Sequence, residues 1–442
     1  MRRFFSVAAM VLAVQLTAAP VRHPSLPPSI SMPHAVTTEN NASCDITVSP
    51  AATLLLPYFE VDVAKPVNDA ANTIFTIVNT SRVPQIARVT IWTDYGYPAI
   101  WFNVFLTGYD SQPISLYDVI VDGALPATTS TTAIGPRSAA NNANPKIVSL
   151  DSCGSIPSAI PESALSALRA MLTIGASASS NDCHVGSSHP NAVGYVTVDL
   201  VNSCSTVSPL DSSYYSQVLL YDNVLTGDYE HVFPDRSIGN FAGGSPLVHI
   251  KAIPEGGNVS TATPLPYTFY DRFTPRGGRK VDRRQPLPSS FASRYIQGGS
   301  GAFYTDFTIW REGSATNAAT CASSNSAIPT TAVVRFDDAE NPTASATSAI
   351  FPAASSTDTK SSIFPPMNGP SLTGWFFFNL DNQAGYVVQG NPYSTTRASQ
   401  NWVVVRMKAE GRYGVDYDAT PLANGCGATS AVASVPGAKV EK

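Results

Sequence analysis

Short runs of Val, Ile, Thr and aromatic residues, broken by Pro, Gly or Asn, recur along most of the chain. From Thr53 they read LLLPYFEVDV, TIFTIVN, ARVTIWTDY and IWFNVFLTGYD. β-Branched and aromatic side chains fit a pleated surface, and turn residues at these intervals predict the strands of an antiparallel sandwich. In 247–252, Leu247, His249 and Lys251 alternate with Val248, Ile250 and Ala252, the period of two of a half-buried strand. In 73–79, Ile74, Thr76 and Val78 alternate with Phe75, Ile77 and Asn79. Apolar residues in both sets predict a strand covered on both faces.

One segment changes period. In 161–173 (PESALSALRAMLT), Leu165, Leu168 and Leu172 follow three- and four-residue spacing, the stripe of a helix packed on one face. Pro161 suits a helical first turn, Glu162 suits the helix dipole, and Gly175 can end the element. The spacing predicts a helix over 161–173 inserted into a β domain.

Three strand-like segments recur in the same order. Residues 73–79 (TIFTIVN) match 305–311 (TDFTIWR), and 89–98 (VTIWTDYGYP) match 333–342 (VVRFDDAENP). Residues 194–202 (GYVTVDLVN) match 374–382 (GWFFFNLDN). The matches predict a mainly β fold of two tandem immunoglobulin-like β-sandwich units, with one larger sandwich sharing strands as the alternative. The domain reading is a signal peptide over 1–19, a flexible leader over 20–43 and a first sandwich over 44–254. A Pro-, Gly- and Arg-rich connection over 255–301, a second sandwich over 302–426 and a tail over 427–442 complete it. Within the units, 125–148 and 343–371 are low in complexity and read as loops.

Charged residues make up 13% of the chain, about half the ~25% usual in soluble proteins. The polar remainder is largely Ser, Thr, Asn and Gly, a surface common outside the cell. The net charge of −5 gives no argument for nucleic acid or an acidic membrane as partner. Arg2 and Arg3, the apolar run 4–16, and Thr17, Ala18 and Ala19 have the layout of a secretory signal. The apolar run is shorter than the ~20 residues of a membrane span, so no transmembrane segment is expected in the mature chain. A secreted, periplasmic or cell-surface location follows.

Six cysteines, an even number, fit an exported protein with disulfides. Cys153 and Cys183 bracket the helix and would close a loop of about 30 residues, worth ~3–4 kcal/mol in the chain-entropy model. With them paired, Cys44 would join Cys204 and Cys321 would join Cys426. Four cysteines in the first half allow three pairings, so this set is one of several.

The chain contains no H-E-x-x-H, G-x-S-x-G or phosphate-binding glycine motif, and no catalytic or cofactor-binding residue is assigned. Three constellations remain. Cys183, His184 and His189 in CHVGSSHP could ligate a metal, but a polar loop beside a disulfide explains them as well. Asp337, Asp338, Glu340 and Asn341, with Asp94 in the matching turn, could offer oxygens to Ca2+, although Asp and Asn favour such turns unaided. Arg276, Arg279, Lys280, Arg283 and Arg284 concentrate positive charge in a chain with only 27 Lys and Arg. They could meet an anionic glycan or an acidic partner; the plainer reading is a solvated connection that contributes little to folding.

LLLPYFEVDV, FTIVN, GYVTVDLVN with a nearby cysteine, LVHIKA, YTFYDR and PLPSSFASRY together resemble an uncharacterised family of secreted bacterial β-rich proteins. The resemblance covers most of the mature chain. It implies export and bacterial origin, and brings no catalytic residue. The sequence therefore predicts an exported, non-enzymatic β-sandwich protein with a surface structural or adhesive role, binding a glycan or surface protein. The alternative is a secreted carbohydrate-binding or carbohydrate-active protein with a groove lined by Tyr95, Tyr97 and Trp101.

Overall fold

The runs of β-branched and aromatic residues pair into antiparallel sheets, and the chain is mainly β. The computed structural model describes residues 46–126, 159–176, 184–205, 207–211, 213–234, 241–253, 282, 284–288 and 290–298. It further describes 303–311, 332–344, 355–358, 372–380, 401–409 and 413–422, with two short ladders, 137–138 on 147–148 and 328–329 on 349–350. The expected signal, leader and tail, and most of the loop over 125–148, lie outside these residues.

In the first half the strands are β1 (Thr53–Val61), β2 (Asn72–Asn79), β3 (Gln85–Thr93), β4 (Pro98–Leu106) and β5 (Ser111–Ser115). After helix α1 (Glu162–Thr173) come β6 (Ala192–Val201), β7 (Leu225–Phe233), β8 (Phe241–Pro246) and β9 (Val248–Ile250). They form a five-stranded sheet, β9-β1-β6-β3-β4, and a four-stranded sheet, β8-β7-β2-β5.

The second half carries β10 (Ser290–Ile296), β11 (Phe303–Arg311), β12 (Ala332–Asp337), β13 (Pro342–Ala344) and β14 (Ser355–Asp358). It continues with β15 (Thr373–Asn379), β16 (Asn401–Ala409), β17 (Tyr413–Asp418) and β18 (Thr420–Pro421). Its sheets run β18-β10-β15-β12-β13 and β17-β16-β11-β14. Each strand holds the place of the strand nine before it. β10 thus stands where β1 stands, although 290–296 was expected in the connection; Ser290–Ile296 pairs with β15 along its whole length. Both pairs of sheets belong to one unit spanning 41–442.

The matched segments sit at matching sites. Phe75 lies in β2 between β7 and β5, and Phe307 lies in β11 between β16 and β14. The correspondence extends to single contacts. The Thr73 hydroxyl bonds the N–H and C=O of Glu60 in β1, and the Thr305 hydroxyl bonds those of Ile296 in β10. Gly194 faces Phe59 and Gly374 faces Tyr295 across the same strand pair. A Cβ on Gly194 would stand 2.0 Å from the Trp92 carbonyl oxygen, and one on Gly374 2.1 Å from that of Phe336. Beside each glycine lies an aromatic stack, Trp92 on Tyr195 and Phe336 on Trp375, with ring planes 3° and 4° apart. The glycine admits close backbone approach where the rings need it.

Most of the described core is one continuous cluster running through both halves. β2 departs from expectation: Phe75 and Ile77 are buried, whereas Ile74, Thr76 and Val78 are half-buried, so cover is complete on one face. Helix α1 lies within the expected span, burying Leu165, Leu168, Met171 and Leu172. Gly175 ends it with φ 66°, and its missing side chain makes room for the Gly186 carbonyl. No described helix is long and apolar enough to cross a membrane.

Replacing Gly194 or Gly374 by Ala should overpack the strand, destabilising the fold by about 1–3 kcal/mol in each case. Thermal unfolding checks this; parent-like stability in either variant would show that the neighbouring carbonyl yields freely.

Candidate functional site

Strands place every second side chain on one side, and at the seam between the halves that periodicity lines up ionisable groups. β7 presents Tyr229, His231 and Phe233, β17 presents Asp416 and Asp418, and β16 presents Arg406 in register opposite Asp416. The His231 and Asp416 side chains are 0% exposed. His231 Nδ1 lies 2.7 Å from Asp416 Oδ2, and His231 Nε2 donates to the Tyr58 carbonyl at 3.1 Å. Arg406 Nε donates to Asp416 Oδ1 at 3.1 Å, with its guanidinium 4.4 Å from the Phe233 ring centre. The seam therefore joins β1 and β7 of one half to β16 and β17 of the other through a single carboxylate.

Polar groups continue outward from it. Tyr58 donates to Glu60 Oε2 at 2.9 Å, and Asn191 donates to Glu60 Oε1 at 2.6 Å. Burial, then Glu60, pushes the Tyr58 phenol well above its ordinary range, which keeps it a donor. Lys408 Nζ lies 3.7 Å from Asp306 and within reach of the Phe233 and Tyr304 rings.

The two acids of β17 are pushed in opposite directions. Burial would raise Asp416, but Arg406 and then His231 outweigh it and hold the carboxyl below its ordinary value. Burial raises Asp418 to about 7. Trp402 and Tyr229 lean on Asp418 electrostatically, yet Asp418 Oδ1, Trp402 Nε1 and Tyr229 Oη close no well-formed hydrogen bond. The seam thus holds one carboxylate charged and one neutral at moderately acid pH.

A second network ties the connection to the first five-stranded sheet. Arg284, expected in a solvated stretch, is 1% exposed. It donates to Asp282 at 2.9 Å and to Asp199 of β6 at 3.2 Å, and lies over the Tyr215 ring. Thr53 and Tyr214 also donate to Asp199, at 2.7 and 2.8 Å. Desolvation alone would loosen the Arg284 proton, but Asp282 and Asp199 hold the guanidinium charged. The expectation of a surface cation fails here because its partners are buried with it. Arg276, Arg279, Lys280 and Arg283 lie outside the described residues.

The acidic turn is internally satisfied. Asp337 Oδ1 accepts from the backbone N–H of Ala339 and Asn341, and Asn341 Nδ2 donates to the same carboxylate. Glu340 accepts from Trp375 Nε1 at 3.2 Å. No cluster of three or more metal-ligating acids, histidines or cysteines occurs among the described residues. Asp94, in the matching turn, accepts from Ser187 N and meets His189 Nε2 at 2.9 Å, pinning the 185–189 loop against the end of α1. His184 is exposed and bridges Ala176 instead.

Cys204 is disulfide-bonded; Cys44, Cys153, Cys183, Cys321 and Cys426, and with them the expected pairings, lie outside the described residues. Of the aromatics considered for a groove, Tyr97 packs beside Met171 and Val185, and Trp101 lies beneath Arg88. Sequence reasoning missed the seam. Its one visible signal was charge inside strands: Arg406 within NWVVVRMKA, and Asp416 and Asp418 within YGVDYD.

Two measurements test the networks. Arg284→Ala strands Asp282 and Asp199 without their cation and should cost about 3–5 kcal/mol, read by denaturant unfolding; a surface-like loss below about 1 kcal/mol contradicts the buried pair.

The second test is pH. An unfolded Asp titrates near ~3.9, so folded Asp418 keeps a proton that the unfolded chain has lost until about pH 7. That contribution lowers stability as pH rises from about 4 to 7, by at most ~1.4 kcal/mol per unit. His249 works oppositely: burial lowers it to about 4, so its contribution is present above the unfolded value of ~6.5 and is lost as pH falls towards 4. The two largely cancel over this range. Asp418→Asn should therefore gain stability over the parent at pH 7–8, match it near pH 4, and show a rising profile between. An unchanged profile would show that Asp418 is not buried as a neutral acid.

No protein-family model, curated protein or solved structure matches this chain.

Proposed function

We propose that the chain is an exported, non-enzymatic β-sandwich protein with a surface structural or adhesive role. The observation that carries this reading is the use made of its buried ionisable groups. His231, Arg406 and Asp416 pair with one another across the seam, and Arg284, Asp282 and Asp199 pair across the connection. Groups paired in this way stiffen a body; a catalytic acid or base needs an open side on which to meet a substrate. The low content of charge and the abundance of Ser, Thr and Asn support a location outside the cytoplasm, and the signal-like N-terminus supports export. The two pairs of sheets with one strand order support a duplicated unit.

Fractionating cells that express the full chain, then applying the purified protein to glycan arrays, cell surfaces and a panel of polysaccharide hydrolase substrates, tests the reading. Retention on a surface without turnover is expected. Hydrolysis of any polymer would overturn the non-enzymatic role in favour of a carbohydrate-active one, and purely cytoplasmic recovery would overturn export.

A further inference from the structure

Among the described residues, two other than glycine have positive φ: Glu340 at 65° and Tyr109 at 57°. Left-handed backbone crowds the Cβ of an L-residue, and for a bulky one it is an outlier. For Glu340 the conformation has an internal use, since its carboxylate meets Trp375. Tyr109 has none. Its side chain makes no hydrogen bond or ring contact among the described residues, and the residue is 73% exposed.

The backbone beneath Tyr109 is heavily fixed. Buried Asn79, the last residue of β2, donates to the carbonyls of Val83 at 2.8 Å and Thr107 at 2.7 Å. Its Oδ1 accepts from Ser81 N and Oγ. One amide thus holds the β2–β3 and β4–β5 loops together. Tyr109 N donates to Ser81 O at 2.9 Å, and a Cβ on Gly108 would stand 2.3 Å from the Arg82 carbonyl oxygen. Asp110 closes the turn, accepting from Thr107 N and Oγ1 and from Ser111 N. The result is a rigid tip on which Arg82 and Tyr109 are adjacent in backbone, both exposed. Arg82 makes no ion pair among the described residues.

A glycine at 109 would relieve the crowding, so the fold itself does not call for tyrosine there. Strained residues held by an over-determined frame gather at ligand contacts. We propose that the Arg82–Tyr109 tip is a carbohydrate-contacting site, where the Tyr109 ring stacks on the C–H face of a sugar and Arg82 donates to its oxygens. The surroundings favour a glycan over a protein. The two loops at the tip carry Ser81, Thr107, Asp110, Ser111 and Gln112, which supply hydroxyls, a carboxylate and an amide, with only the half-buried Val83 and Pro84 as apolar company. A protein contact needs an apolar centre within roughly 800 Å² per partner. A single ring amid hydrogen-bonding groups matches one pyranose. A pre-fixed aromatic with few rotatable bonds also loses little entropy on binding. The site rests on the adhesive reading proposed above.

The test uses the full mature protein on immobilised neutral and acidic polysaccharides, comparing parent, Tyr109→Gly, Tyr109→Phe and Arg82→Ser. Retention by the parent is expected, with a loss of about tenfold or more in Tyr109→Gly, a clear loss in Arg82→Ser, and binding kept in Tyr109→Phe, which preserves the ring. The melting temperature of Tyr109→Gly should equal or exceed the parent's, because relief of strain is the only internal consequence. A lowered melting temperature would overturn the proposal by giving the ring a structural role. Glycan retention unchanged in both Tyr109→Gly and Arg82→Ser would overturn it while leaving adhesion intact. A parent that binds protein or cell surfaces but no polysaccharide would overturn the glycan, and a parent that binds nothing would remove the adhesive reading as well.

Discussion

Burying a charge without a partner costs several kcal/mol, and the joint between the two halves is built on meeting that demand at Asp416. Its oxygens take Arg406 from the neighbouring strand and His231 from the other half. His231 passes the link on to the Tyr58 carbonyl in β1. Remove Asp416, and Arg406 and His231 are left buried without their shared carboxylate. The halves therefore hold one relative arrangement, and the core can run through both without a solvated break.

The common strand order makes it informative that the seam is not symmetric. In the position of His231 the second half has Met407, and in that of Tyr229 it has Val405. Where β17 sets Asp416 opposite Arg406, β8 sets Gly244 opposite Glu230. A contact between unlike faces of two like bodies needs different residues on each. Polar His231 and Tyr229 occur where one half meets the other, and apolar Met407 and Val405 occupy their matching positions. What the halves share is what each needs by itself: the strand glycine, the aromatic stack beside it, and the threonine that bonds the neighbouring strand.

The connection follows the same rule. Arg284 lies in a run whose composition reads as solvated, yet its carboxylate partners are Asp282 two residues before it and Asp199 in a distant strand. Distance in sequence hid the second. The Tyr109 tip was hidden for a different reason, since TGYD reads as an ordinary turn until its backbone angle and exposure are known.

By itself the sequence determined the local elements, because period and turn chemistry act within a few residues. It determined the strand-rich class, the helix over 161–173, and the three segment pairs that fall at matching sites such as Gly194 and Gly374. Tertiary structure decided the rest. That 290–296 is a strand of the second half, that Arg284 is interior, and that the Asp418 carboxyl is pushed up where that of Asp416 is held down all depend on long-range neighbours. Burial and charge pairing are properties of what the fold brings together, and residues far apart in the chain reveal them only once they meet.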